Sequence, residues 1–237
     1  MMTWTWSWPT VREALLDAWA VLAPTECAGC GAPDRGLCTA CRAELATARP
    51  TRETLRRDDG SELPVWRAFD YGGTARGILI AFKDGGRTDA APALAAVLRR
   101  LVHAALAEAP PAAAGRVELA AIPSSRAAFR RRGYRHVPLL LRRAGYRDSG
   151  LLRATRQTQD QSNLDTTSRY ANRAESLTVA KASGARFVIL VDDIVTTGAT
   201  VLEADRAFRE AGCTVLCVVA LARTLRRVPE LGKRAEI

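Results

Sequence analysis

Apolar positions divide most of the chain into short strands and amphipathic helices. Mostly apolar segments of strand length occur at 117–123 (VELAAIP), at 186–191 (RFVILV, five apolar residues after one arginine) and at 213–222 (CTVLCVVALA). Residues 74–83 and 199–212 instead have apolar side chains at helical spacing. Strands that are apolar on both faces and alternate with helices are typical of a parallel sheet covered on both sides. The pattern therefore predicts an α/β fold.

Four further segments complete this pattern. Residues 63–71 (LPVWRAFDY) and 151–155 (LLRAT) predict strands, and the alanine-rich residues 90–109 predict a helix. Residues 125–143 also predict a helix. Pro138 should kink or interrupt that helix, because proline lacks the backbone N–H and its ring clashes with the preceding turn.

Changes of composition indicate two units joined by a polar segment. Residues 1–48 contain a predicted helix at 10–22 followed by a cysteine-rich segment. Residues 49–62 are polar and carry turn formers, which predicts a linker. The apolar pattern then continues over 63–237, apart from the polar residues 156–173, for which we expect a long mobile loop with a helical end.

The overall composition is that of a folded protein without a membrane span. The 237 residues are 48% hydrophobic, enough for one packed core and a small appendage. No run of eighteen apolar residues occurs, so we expect no membrane span. Arg12, Glu13 and Asp17 interrupt the apolar start of the chain, which argues against a signal peptide. We therefore expect a cytoplasmic protein.

Positive charge is concentrated in one part of the chain. The net charge is +10, and residues 126–159 hold ten arginines against the single acid Asp148. Such a block attracts polyanions, namely phosphates or nucleic acid. The alternative is an arginine-rich helix face that is only solvated.

The segment FVILVDDIVTTGATV, at 187–201, carries the strongest chemical signal. Asp192 and Asp193 follow a buried strand, at the sheet edge where ligands bind in open α/β folds. A turn rich in threonine and glycine then leads into a helix, whose N-terminus and backbone N–H groups form an anion site. Carboxylates accept hydrogen bonds from sugar hydroxyls or bind a metal carried by a pyrophosphate. A phosphorylated sugar would satisfy both halves. The alternatives are an ordinary acidic cap and a carboxylate pair for metal catalysis.

Two CxxC pairs predict a structural metal site. Cys27 and Cys30 precede Cys38 and Cys41 by a seven-residue spacer. Four thiolates at this spacing favour a tetrahedral Zn²⁺ site with no open position for catalysis. Disulfides are the alternative in an oxidising compartment, and iron is the alternative metal.

The two remaining cysteines, Cys213 and Cys217, are four residues apart in an apolar strand. We expect both on one face of that strand as buried core thiols.

The segment 187–201 resembles the phosphoribosyl-pyrophosphate (PRPP) signature of type I phosphoribosyltransferases. The resemblance implies a type I phosphoribosyltransferase fold for 63–237 and Mg²⁺ bound together with PRPP. It also implies that Asp192 and Asp193 hold the ribose 2′- and 3′-hydroxyls. The 5′-phosphate would be held by the turn, which consists of Thr196, Thr197, Gly198, Ala199 and Thr200.

The four-cysteine segment 27–41, which we call the zinc knuckle, precedes the transferase-like domain. This order is similar to that of the ComF family of competence-associated proteins. The supporting segments are CAGC…CTAC, AFKDGG, AAIPSSRAAFRRRGYRHV, RQTQDQSNLDTTSRYANR and VILVDDIVTTGAT. The resemblance places Pro123, Ser124 and Ser125 in a pyrophosphate loop. It makes 156–173 a hood over the site, with matching residues Arg156, Gln161, Arg169 and Asn172. Arg156 and Lys83 are the candidate catalytic residues, and a solvated helix end is the alternative for Lys83.

One departure from the family pattern affects the helix after the pyrophosphate loop. The family usually has Gly-Phe-Asn-Gln where this chain has Gly133, Tyr134, Arg135 and His136. We expect His136 to face the site.

Three functions follow from these features. An active transferase would displace pyrophosphate at the anomeric carbon of PRPP with a nitrogen nucleophile. A sensor would bind PRPP without turnover. An accessory protein of DNA uptake would contact single-stranded DNA or a helicase through the knuckle and the arginine block. The sequence does not identify the acceptor or the oligomeric state.

Overall fold

Four of the predicted strands and one further strand form a five-stranded sheet in the computed structural model of the protein. The structure describes residues 25–33, 36–155, 176–180 and 187–224. The strands of this sheet are β1 (Thr51–Arg56), β2 (Glu62–Asp70), β3 (Val117–Ala121), β6 (Phe187–Val195) and β7 (Thr214–Arg223). Their spatial order is β1-β2-β7-β6-β3, and every neighbouring pair is parallel except β1 with β2. The strands β4 (Leu152–Ala154) and β5 (Leu177–Val179) form a separate antiparallel pair.

Helices cover this sheet. They are α1 (Thr39–Thr47), α2 (Gly73–Lys83), α3 (Ala91–Ala107), α4 (Arg126–Arg132), α5 (His136–Arg143) and α6 (Ala199–Glu210), with 3₁₀ turns at Thr88–Ala90 and Pro111–Ala113. Helix α3 packs against α1, α5, β2 and β7, whereas α6 packs against β5, β6 and β7. The prediction of an α/β protein with a mostly parallel sheet flanked by helices is thereby confirmed. The predicted helix at 10–22 lies outside the described residues.

The interior strand β6 contributes to a hydrophobic core on each face of the sheet. Ile189 and Val191 belong to the core that contains α3 and α5, and Val188 and Leu190 belong to the core that contains α6. Successive side chains of a strand point to opposite faces. A strand with a core on both faces must therefore be apolar at every position, which is why this run was recognisable in the sequence.

Cys217 of β7 and Cys213, the residue just before β7, are buried as expected, but they lie in different cores. Cys213 belongs to the core with α6, and Cys217 belongs to the core with α3. The register with β6 shifts between Val188 and Ile189, so that Leu216 is an extra residue on β7. A β-bulge of this kind changes which face the following side chains occupy. The prediction that the two thiols share one face is therefore wrong.

The predicted helix at 125–143 is two helices, and glycine separates them. Gly133 ends α4 in the left-handed region, at φ 76°, where a side chain would be strained. Pro138 lies in the first turn of α5, where its missing N–H would have no partner in the helix. The interruption is therefore real, but Gly133 causes it rather than Pro138.

Strand β1 lies within the segment predicted to be a linker. It pairs along its whole length with β2, and Leu55 is its single buried side chain. An edge strand with one buried residue has no alternating pattern to reveal it, so residues 49–62 resembled a polar connection. The side chain of Arg57 continues this attachment, because it binds both carboxylate oxygens of Asp205 on α6, at 2.8 and 3.0 Å.

One helical stretch among the described residues is long and apolar enough to cross a membrane. It is Thr88–Ala107, which combines a 3₁₀ turn with α3, and half of its most apolar window is buried inside the protein. This stretch packs against α1, α5 and the sheet. Such packing is that of a core helix, so its length and composition are weak evidence for a membrane span.

The Arg57–Asp205 ion pair should make β1 and its turn an integral part of the fold. We expect Asp205→Ala to lower the free energy of unfolding by roughly 1.5–3 kcal/mol, because the partly buried guanidinium of Arg57 loses its hydrogen bonds to a charged group. Asp58→Ala is the control, since Asp58 is exposed on the same turn. Urea denaturation of both variants measures the effect. Equal stability of the two variants would show that the hairpin is only loosely attached.

Candidate functional site

The acidic pair lies near the C-terminal end of β6, between two further parallel strands. Asp193 is only 1% exposed, whereas Asp192 is half-buried. Asp192 Oδ1 accepts a hydrogen bond from the backbone N–H of Asp193 at 2.8 Å. The strand continues to Val195 before the chain turns into α6. The pair therefore lies at the sheet edge expected from the sequence.

Two basic side chains from distant helices meet the carboxylate of Asp193. Lys83, the last residue of α2, places its Nζ 3.0 Å from Oδ1 and 2.8 Å from Oδ2. His136, the first residue of α5, places its Nε2 3.3 Å from Oδ2. Lys83 is thus neither a solvated helix end nor an isolated cation, and His136 faces the acidic pair as expected.

The surroundings of the two carboxyls shift their pKa values in opposite directions. Burial raises the pKa of Asp192 well above its usual range, and the adjacent Asp193 charge adds to this. Burial alone would also raise the pKa of Asp193. The contact with His136 and the charge of Lys83 outweigh burial and hold the Asp193 pKa below its usual range. Asp193 is therefore the more acidic member of the pair.

The turn after β6 packs on the hairpin that β1 and β2 form. Gly198 adopts φ 84° and caps α6. A Cβ at this position would lie 2.8 Å from both methyl carbons of Leu55. Thr196 and Thr197 are exposed above this contact, and Thr197 Oγ1 accepts a hydrogen bond from the N–H of Ala199 at 3.3 Å. The turn is thus fixed on its buried side and open on the side where an anion would approach α6.

The predicted pyrophosphate loop lies beside this turn, because β3 pairs with β6. Ser125 caps α4, where its hydroxyl accepts a hydrogen bond from the N–H of Ala128 at 3.1 Å. Ser124 is half-buried, and its Oγ lies 3.1 Å from His136 Nδ1. The residue before them, Pro123, is also half-buried. The structure thus brings this loop close to the acidic pair through His136.

The hood residues Arg156, Gln161, Arg169 and Asn172 lie outside the described residues. The residues that flank this segment are described: the N–H of Thr155 donates to the carbonyl of Ser176 at 2.9 Å. The second flank is attached to α6, since the N–H of Leu177 donates to Glu203 at 3.2 Å. The helix that follows the threonine turn therefore also contacts the described residues after this segment.

The four cysteines of the CxxC pairs converge. Sγ atoms of Cys27, Cys30, Cys38 and Cys41 all lie within 4.8 Å of one another. Burial opposes ionisation of Cys27, but backbone N–H groups of Cys38, Cys30 and Gly29 outweigh it and lower the pKa of this thiol to about 6. A thiolate is the form that binds a metal. The cluster is therefore positioned to bind a zinc ion.

This cluster is docked on α2, the helix that ends at Lys83. A Cβ on Gly77 would lie 3.0 Å from the carbonyl oxygens of Ala28 and Gly29, so the knuckle packs directly against the helix backbone. Arg87, just beyond the helix, donates to the carbonyls of Glu26 at 3.1 Å and Gly36 at 3.0 Å. The cysteine unit therefore supports the element that carries Lys83.

A second group of potential metal ligands lies at the acidic pair. One ligand atom each of His136, Asp192 and Asp193 lies within 4.8 Å of the others. Lys83 already places a positive charge against this group.

No protein-family model matches the chain, and no curated protein matches it. The molecule is an α/β protein with a mostly parallel sheet and a four-cysteine cluster positioned to bind zinc. The phosphoribosyltransferase fold and the resemblance to the ComF family stay predictions.

Two residues of the site could not be found from the sequence. Leu55 lies under the turn, and its segment has no strand pattern. Arg132 is one of three consecutive arginines, yet its side chain is only 6% exposed and reaches both His136 and Asp84. Arg132 differs from the neighbouring arginines only in its burial. A run of identical residues cannot show which of them is buried.

The Lys83–Asp193 ion pair should make stability depend on pH. Because its folded pKa is depressed, Asp193 stabilises the protein above its ordinary pKa of about 4 and loses this effect as the pH falls through the folded value. We expect Lys83→Met to cost roughly 3 kcal/mol at pH 7, and the deficit to shrink toward pH 4 as the unpaired carboxylate becomes protonated.

Urea denaturation of both proteins between pH 4 and 7 measures this difference. Lys83→Met/Asp193→Asn is the control, because it removes both charges and should flatten the dependence. A deficit that stays constant over this range would contradict the assignment.

Proposed function

We propose that the protein binds PRPP at the edge formed by the acidic pair, the threonine turn and the loop after β3. The observation that carries the proposal is the order of chemical groups along one edge of the sheet. A half-buried carboxylate, Asp192, is followed by exposed threonines at the N-terminus of α6. A carboxylate binds sugar hydroxyls, and hydroxyl side chains at the N-terminus of a helix bind a phosphate.

Each part of PRPP has a suitable group in this arrangement. Asp192 would accept hydrogen bonds from the ribose hydroxyls, which favour the charged form of a carboxyl whose pKa is raised by burial. The N–H groups at the start of α6 and the hydroxyls of Thr196 and Thr197 would hold the 5′-phosphate. Lys83, partly exposed, would lie near the pyrophosphate. Mg²⁺ bound with PRPP would screen the pyrophosphate charge.

The proposed role is that of a ComF-type protein of the phosphoribosyltransferase class. With a bound acceptor, the reaction would form a bond from a nitrogen nucleophile to the anomeric carbon and break the bond to pyrophosphate, which leaves with the electron pair. Positioning and charge would supply most of the catalysis. Without an acceptor, the same site would serve a PRPP sensor. Release of pyrophosphate in the presence of an acceptor would distinguish a transferase from a PRPP sensor.

We also propose that the cysteine cluster holds Zn²⁺ for a structural purpose. Four thiolates would fill the tetrahedral coordination of the ion and leave no position for a substrate. The bound ion would hold the knuckle against α2.

A second candidate function, contact with single-stranded DNA or a DNA-uptake helicase, is favoured by one surface. Phe129 on α4 is 43% exposed, and the guanidinium of Arg135 lies 5.9 Å from the centre of its ring. Other exposed arginines follow along the chain, namely Arg130, Arg131, Arg142, Arg143, Arg147 and Arg153. An exposed aromatic ring beside an arginine, in a part of the chain rich in exposed arginines, suits stacked bases and backbone phosphates.

Calorimetric titration of PRPP with Mg²⁺ tests the first proposal. We expect binding by the wild type, and binding weaker by roughly tenfold to a hundredfold in Asp192→Asn, since a hydrogen bond to a charged group is lost. Asp58→Asn, at an exposed position, is the control. The absence of binding heat in the wild type, over a range of temperatures, would overturn the proposal.

Metal analysis of freshly purified protein tests the zinc site. We expect about one Zn²⁺ per chain, bound by four thiolates. Cys27→Ser should lose the ion, and Cys213→Ala should keep it, because Cys213 lies in the core of the sheet. Less than half an equivalent of zinc in the wild type, or iron in its place, would contradict the assignment.

Fluorescence anisotropy with a labelled thymidine oligomer tests the DNA surface. We expect binding that weakens as salt rises, and a further loss of roughly fivefold to a hundredfold in Phe129→Ala. Leu106→Ala is the matched control, because Leu106 is an exposed apolar residue on another helix. Equal binding by the two variants would exclude stacking on Phe129.

A further inference from the structure

A closed ring of polar contacts includes the buried carboxylate of Asp193. Lys83 binds Asp193, which lies 3.3 Å from His136 Nε2. On the other side of the imidazole, Arg132 NH1 lies 3.2 Å from Nδ1, and Arg132 NH2 donates to Asp84 Oδ1 at 3.0 Å. Asp84 is the neighbour of Lys83 in the chain, so the ring closes on itself. Through these side chains, α2, α4, α5 and β6 are tied together.

The arginine determines which nitrogen of His136 carries the proton. A guanidinium has only hydrogen-bond donors, so Nδ1 must act as the acceptor of its contact with Arg132, and the Ser124 hydroxyl, 3.1 Å from the same nitrogen, can also donate to it. A neutral imidazole that accepts at Nδ1 carries its proton on Nε2. The protonated nitrogen is then the one that lies 3.3 Å from Oδ2 of Asp193. Within the described residues, neither Nε2 nor Oδ2 has a hydrogen-bond partner of good geometry, so this carboxylate is the partner available to Nε2.

We infer that His136 is a positioning residue that holds Asp193 through a protonated Nε2, in a tautomer set by Arg132. The two neighbouring carboxyls have different roles, because only Asp193 belongs to the ring. Asp193 is 1% exposed and contacts Lys83 and His136, so its task is to anchor the ring. Asp192 is half-buried and outside the ring, so it is the member that faces a ligand.

Two other roles for His136 do not suit these contacts. A metal ligand needs an unprotonated nitrogen, but Nε2 carries the proton and Nδ1 faces a guanidinium. A general base needs access to the reacting group, but His136 is only 4% exposed. Under the inferred tautomer, the 3.3 Å approach of His136 to Asp193 is a contact between Nε2–H and the carboxylate rather than a metal centre.

The tautomer can be observed directly, because the chain contains only two histidines, His103 and His136. His103→Gln, at an exposed position of α3, leaves a single imidazole for long-range ¹H–¹⁵N NMR. At pH 7.5 we expect a protonated Nε2 and an unprotonated Nδ1. Asp193→Asn should shift the Nε2 resonance. A proton on Nδ1, with or without one on Nε2, would overturn the inference.

The consequence for ligand binding rests on the proposed PRPP function. Calorimetry with PRPP and Mg²⁺ should show binding weaker by roughly tenfold to a hundredfold in His136→Leu, which loses one hydrogen bond to a charged group. His136→Gln should recover most of it, since its amide can donate to Asp193. His103→Gln should bind like the wild type. Equal losses in the leucine and glutamine variants, with both folded by circular dichroism, would contradict the positioning role.

The two proposals fail in different ways. If the wild type binds no PRPP, the proposed function is wrong, and the NMR experiment still decides the tautomer and its dependence on Asp193. If PRPP binds but Nδ1 carries the proton, the function stands and the ring is wrong.

Discussion

The buried carboxylate of Asp193 is the constraint on which the site depends. A charge at this depth is tolerated only if partners reach it, and both partners come from helices distant in the chain. Lys83 must end α2 at this point, and His136 must begin α5 there. The breaks after α2 and before α5 are therefore as much a part of the site as the strand that carries the acid.

The cysteine cluster supports the ion pair of Lys83 and Asp193 indirectly, through α2. It packs against the backbone of α2 at Gly77, and Arg87 clamps the chain beyond the helix to the knuckle by two carbonyls. Lys83 lies between these two attachments. A metal held by the four thiols would therefore stabilise the element that neutralises Asp193, which gives a structural metal a physical connection to a ligand site.

The apolar runs were predictable because β6 and β7 face a core on both sides, and such strands have no polar alternation to confuse with a loop. Strand β1 was missed for the opposite reason, since Leu55 is its only buried residue. The bulge at Leu216 was also beyond prediction, because one extra residue in a uniformly apolar strand leaves the pattern unchanged.

The sequence alone determined the local chemistry: two thiol pairs at metal-binding spacing, and an acidic pair followed by a threonine turn. Tertiary structure decided which groups meet them. Periodicity and spacing describe neighbours along the chain, whereas the contacts of Asp193 with Lys83 and His136 span 110 and 57 residues. Only the packing of α2 and α5 against the sheet brings those charges together, and only their burial makes one carboxyl an anchor and leaves the other to a ligand.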